Sequence, residues 1–214
     1  TDYIKFNTPD VVKATAEEIK KVLLESGLWV ALKQRPYGIV ANPADEPRAI
    51  FVSAFDSAPL APDYNFTLKG EAANLQVAVD VLNKLTKGGV FVGLNAKEAA
   101  TSPFNHLKNV KHYGFSGAHP AGNVGVQINN IAPVNKGEVV WTIDPMFMVA
   151  VGKLFTKGIY DVTRTIAVAG NRVEKPCYVT CLPGTQIKDL DFLVSKKEVE
   201  IFDQECGCRY ISGN

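Results

Sequence analysis

Histidine is scarce in this chain of 214 residues: His106, His112 and His119 are the only three. No Gly-x-Ser-x-Gly elbow accompanies them and no Ser/His/Asp set is apparent, which disfavours hydrolysis through an activated serine. Charge of one sign is lacking as well. Lys and Arg number 23 against 22 Asp and Glu, a net charge of +1 that leaves no electrostatic footprint for nucleic acid. Long apolar runs are missing: the longest, Met146 to Phe155, includes Lys153 and falls short of the roughly 20 residues a bilayer span needs. No transmembrane segment is expected. The start, Thr1-Asp-Tyr-Ile-Lys5, has neither an initiator methionine nor a signal peptide after it, which a fragment cut from a longer polypeptide would explain. Cys177, Cys181, Cys206 and Cys208 form a Cys-x-x-x-Cys and a Cys-x-Cys arrangement without the paired Cys-x-x-Cys spacing of zinc sites. Free thiols in a reducing cytoplasm are the expectation, and no metal ligand is assigned.

What is present is ordinary for a globular protein, 46% hydrophobic and 21% charged residues, enough for one full domain and a smaller piece. Thr15-Ala-Glu-Glu18 is a capping box, and Ile19, Val22 and Leu23 follow at helical spacing. That predicts a helix from Thr15 to Ser26, stopped by Gly27. Ala49 to Phe55 is a nearly continuous apolar run, predicted as a strand covered on both faces. From Glu71 to Thr86 the stripe Ala72, Leu75, Val79 and Leu82 predicts a second helix, with Gly88 as a left-handed stop. Further buried strands are predicted over 89–94, 110–115 and 139–143, and a helix capped by Asp144, with Pro145 at its first position and Gly158 at its close. Strands alternating with helices imply α/β architecture with a doubly wound, mostly parallel sheet over residues 1–162. After Tyr160 the pattern changes to strands at 164–169 and 177–181, a short helix from Thr185 to Leu193 and a strand at 199–202. That is a small α+β module over 163–214.

The stretch His119-Pro-Ala-Gly-Asn-Val-Gly125 follows the apolar-rich segment 110–115 and reads as a glycine-rich bend opening a short helix. Gly114, Gly117, Gly122 and Gly125 can take positive φ and carry no Cβ, so backbone N–H groups can turn toward an anion there. Neither G-x-G-x-x-G nor the lysine-bearing phosphate loop is present. Tight strand-to-helix packing without a ligand is the competing reading. Other candidates are equally two-sided. Asp56 sits where wound sheets present ligand contacts, or it caps a turn. Trp29 and Arg35 flank a segment with Tyr37, a set suited to stacking and cation–π contact with a ligand or a partner; a partly buried anchor is the alternative.

On His119-Pro-Ala-Gly122, Trp141-Thr-Ile143, Val149-Ala-Val-Gly-Lys-Leu-Phe155 and Ala169-Gly170, with Glu25-Ser-Gly-Leu-Trp29, Arg35-Pro36, Ala49-Ile-Phe-Val52 and Asp80-Val-Leu82 upstream, the chain resembles the A subunit of the sodium-pumping NADH:quinone oxidoreductase, Nqr. The likeness is collinear over nearly the whole chain. It implies an internal fragment: a Rossmann-like domain over 1–162, then a truncated β-grasp module of the soluble ligand-binding type over 163–214. It also implies a peripheral position on the cytoplasmic side of the bacterial inner membrane, with the other Nqr subunits as partners. No cofactor is expected on this fragment, which would not turn over alone. Ubiquinone is the candidate ligand, and NADH, flavins and iron centres belong to other subunits. Flavin-binding relatives, in complex I and the Rnf complex, share the implied fold, but the Cys-x-x-Cys-x-x-Cys runs of the Rnf subunit are missing here. A departure from the family lies at Gly125-Val-Gln-Ile-Asn-Asn130, where a Gly-Thr-His-type continuation is typical. Chemistry needing that second histidine has no counterpart in this chain.

The expected ligand contacts are Trp29, Arg35, Gly117, His119, Gly122 and Gly125, with His119 able to donate to a quinone carbonyl or to serve turn structure alone. The alternative function is a self-contained flavin- or nucleotide-binding oxidoreductase domain using the loop 114–125. A pure assembly module without a small ligand is the third.

Overall fold

A computed structural model of the chain describes residues 3–170, 173 and 175–186. They fall into two units, Thr1–Ser57 with Asp63–Asp161 and Ala58–Pro62 with Val162–Asn214.

The first unit opens with α1 (Ala16–Glu25), whose capping box forms as its sequence predicts. The Thr15 amide donates to Glu18 Oε2 at 2.8 Å, and the Glu18 amide to Thr15 Oγ1 at 3.3 Å. A 3-10 turn, Leu28–Ala31, then leads into the hairpin of β1 (Lys33–Arg35) and β2 (Ile39–Val40). The chain continues through β3 (Ile50–Ser53), α2 (Tyr64–Thr67), α3 (Ala72–Asn83), β4 (Val90–Asn95), β5 (Val110–Phe115), α4 (Val124–Ile131), β6 (Val140–Thr142) and α5 (Pro145–Lys157). These strands make one sheet in the order β2-β1-β6-β3-β4-β5. β6, β3, β4 and β5 run parallel, while β1 is antiparallel to both its neighbours.

Side-chain alternation divides the core in two. Ile50, Val52, Val90, Val92, Leu94 and Trp141 face a large cluster with residues of α1, α3 and α5. Ala49, Phe51 and Val140 face the other way, against Ile128 of α4. Helices therefore cover both faces of a mostly parallel sheet. From β5 the chain returns through α4 to β6, on the far side of β3. The strand order reverses between β3 and β6, and the carboxyl ends of these two strands flank the crevice where open α/β sheets hold ligands.

Four expectations need correction. The antiparallel hairpin was not anticipated, because strands of three and two residues carry almost no periodicity. α3 stops at Asn83 with Lys84 in right-handed conformation, so Gly88 is no helix stop. Its role is proximity: a Cβ there would clash with the carbonyl of Arg48. No α-helix joins β4 to β5, only the 3-10 turn Ala99–Thr101. Finally, β5 is an exposed edge strand rather than a buried one. The helix from Pro145, by contrast, forms as expected, with Asp144 accepting from the Met146 amide at 2.8 Å and Gly158 closing it at φ 66°.

In the second unit β7 (Arg164–Val168) pairs antiparallel with β8 (Cys177–Cys181). Ile166 and Val168 pack with Val173, Cys177, Val179 and Cys181 on one face. Cys177 and Cys181 are free thiols. Except for Thr185 and Gln186, the helix expected over 185–193 lies outside the described residues, as do the strand over 199–202, Cys206 and Cys208.

Candidate functional site

The loop from β5 to α4 is tied to the end of β3 by buried and half-buried polar groups. Ser53 Oγ, 2.8 Å from Gly122 O and 2.9 Å from Phe55 O, offers its proton to these carbonyls. It accepts from Gln127 Nε2 at 2.8 Å. Gln127 is 1% exposed and also donates to Ala121 O at 3.1 Å. Ser57 Oγ accepts from the Gly122 amide at 2.8 Å and lies 3.1 Å from His119 Nδ1. Ser57 Oγ has a proton to give Nδ1 and a second lone pair to accept from it, so the contact is compatible with either tautomer. When Ser57 donates, the neutral imidazole carries its proton on Nε2, an N–H donor on an exposed ring.

Two glycines make this closeness possible. A Cβ on Gly122 would stand 2.5 Å from Ser57 N and 3.0 Å from Phe55 O, and one on Gly93 would overlap the Gln127 side-chain amide. Gly117 adopts φ 136°, but Gly114, Gly122 and Gly125 do not take positive φ. The run of glycines thus serves contact more than unusual backbone angles.

On the side toward β6, Tyr64 donates to Asp144 Oδ2 at 3.2 Å. Burial, followed by the nearby carboxylates of Asp144 and Asp56, pushes the Tyr64 phenol far above its ordinary range. Among the described residues, no lysine or arginine makes a hydrogen bond or ion pair with residues 114–125. The donor set suits a neutral acceptor such as a carbonyl.

Gly117, His119, Gly122 and Gly125 are brought together on this loop and the first turn of α4. Trp29 and Arg35 are not part of it. Trp29 is 4% exposed, donates from Nε1 to Ala41 O at 2.7 Å and meets Trp141 edge-on at 5.4 Å between ring centroids. Arg35 pairs with Val140, at the amino end of β6, so it stands at the opposite end of the strands from His119. Ser53, Ser57 and Gln127 escaped the sequence reading. A usable signal existed in Gln127, a polar residue one position before Ile128 on the packed stripe of α4.

A mostly parallel sheet covered on both faces, with a polar loop at the carboxyl ends of its strands, defines an α/β domain of the wound-sheet class. The chain belongs to the family of the NqrA second alpha/beta domain, whose model matches residues 14–160. Relatives named as the A subunit of Na(+)-translocating NADH-quinone reductase include the protein of Cellvibrio japonicus, 36% identical over 192 residues, covering 88% of this chain and 42% of the relative. That of Saccharophagus degradans is 37% identical over 185 residues, covering 86% and 41%, and that of Pseudomonas aeruginosa 35% over 189 residues, covering 88% and 42%. The chain thus spans about two-fifths of the length of these relatives. Among solved structures, a chain of an NAD+-reducing NiFe hydrogenase in the air-oxidised state superposes with a TM-score of 0.62 at 13% identity, over 87% of this chain and 40% of that one. That likeness concerns the fold alone.

Proposed function

We propose that this chain is the Rossmann-like portion, with the beginning of a β-grasp module, of the peripheral A subunit of a sodium-pumping NADH:quinone reductase, on the cytoplasmic side of the bacterial inner membrane. Its loop 116–125 meets ubiquinone, while other subunits carry NADH, flavins and iron centres. The observation that carries this reading is the Ser57–His119 contact at Nδ1, which leaves Nε2 of the exposed ring without a partner among the described residues, beside a loop with no bonded cation. A quinone carbonyl accepts from Nε2. Ser57 holds the tautomer by donating to Nδ1, and Gly122 holds Ser57. This role is binding and orientation, and the fragment alone has no turnover. The alternative, a self-contained flavin or nucleotide oxidoreductase, is not favoured, because the family model and the relatives are those of the A subunit.

The test is titration of the chain with a short-chain ubiquinone, with FMN and with NADH, followed by NMR of the His119 ring and the Gly122 amide. Shifts with the quinone alone support the reading. Shifts with FMN or NADH, or none with any of the three, would refute it.

A further inference from the structure

The hairpin β1–β2 carries a second surface, remote from the loop of His119. Four exposed large apolar residues fall within eleven positions: Val30 at 52%, Tyr37 at 83%, Ile39 at 54% and Val40 at 44% exposure. Lys33 is paired with Val40 across the two strands, so Lys33, Arg35 and Val40 share one face. Neither Lys33 nor Arg35 forms an ion pair among the described residues, and Arg35 Nε is buried without a hydrogen-bond partner. Among the described residues β2 is the last strand on its side of the sheet, so its outer edge offers backbone N–H and C=O groups to another strand.

We infer that this hairpin is a docking edge for an extended segment of another polypeptide, one that carries carboxylates among apolar residues. Backbone groups of that segment continue the sheet beside β2. Its acidic side chains meet Lys33 and Arg35, and its apolar ones cover Val40 and Tyr37. An anionic membrane would match the charges and the apolar tip, but it cannot complete the strand edge, which favours a protein partner. The inference rests on the proposed place of the chain in a multi-subunit complex.

The experiment places the photo-crosslinker p-benzoylphenylalanine at position 37 of the full-length protein in native membranes, with and without Val40→Lys. The expected product joins residue 37 to an acidic, extended stretch of a different chain. Val40→Lys should lower its yield at least tenfold without moving the thermal midpoint, since Val40 is half exposed. Crosslinks to phospholipid only, crosslinks within the same polypeptide only, or a yield insensitive to Val40→Lys would overturn the inference. If the protein co-purifies with other chains and still gives no such product, the docking edge alone fails. If it co-purifies with none, the place in the complex fails with it.

Discussion

The hydroxyl of Ser57 lies 3.1 Å from Nδ1 of His119, joining the loop after β3 to the loop after β5 across 62 positions of sequence. With Ser57 as donor, the proton of the neutral ring sits on Nε2. Ser57→Ala should therefore release the imidazole to a mixture of tautomers, visible in its ring nitrogen shifts, and also leave the Gly122 amide without its partner. The stability loss should be about 1–3 kcal/mol, the usual cost of leaving a buried donor unpartnered, measured by urea unfolding.

Gly122→Ala and Gly125→Ala should part in sign. A methyl group at Gly122 would meet Ser57 N and Phe55 O at 3.0 Å or less, while at Gly125 nothing lies within 4 Å. Overpacking of the first kind costs about 1–3 kcal/mol. In the second, alanine replaces glycine within α4 and should stabilise by about 0.5–1 kcal/mol. Parallel denaturation curves check both, and equal effects would mean that the two loops are not in contact.

Gln127→Leu removes a buried amide that serves both Ser53 and Ala121. Leaving such groups unpartnered costs about 1–3 kcal/mol. Amide exchange at Ala121 and Gly122 should rise in the variant, because the loop loses its tether to the sheet.

Acid should weaken the start of α1. Bonds from the Thr15 amide and hydroxyl hold the Glu18 carboxyl below its usual 4.5. A depressed carboxyl stabilises the fold above its unfolded value and loses that contribution as pH falls through the folded one. Glu18→Gln, which keeps the shape of the box but not its charge, should thus lower the urea midpoint near neutral pH and approach the parent protein as pH falls through the folded value. Tyr64 works at the other end. Its pKa is raised, so stability should decline as pH rises above the ordinary tyrosine value of 10.0, and Tyr64→Phe should remove that decline.

Much of the first unit was legible because its signals are local. The Thr15 box, the stripe of α3 and the Asp144-Pro145 start of α5 each lie within a few residues of the feature they determine. The exposure of β5 was not, since edge position depends on where β6 inserts. For Trp29 the sequence left a ligand contact and a partly buried anchor open, and its partners Ala41 and Trp141, which come from elsewhere in the chain, decide for the anchor. The site was half legible. Its glycines and His119 stand in one run, whereas Ser53 and Ser57 reach it only through strand pairing.

The most direct test is photo-labelling of the intact complex with a quinone analogue, followed by peptide mapping. Label on the 116–125 loop that is lost in His119→Ala is the expected result. Label confined to other subunits, with this loop clean, would contradict the assignment of quinone contact to His119.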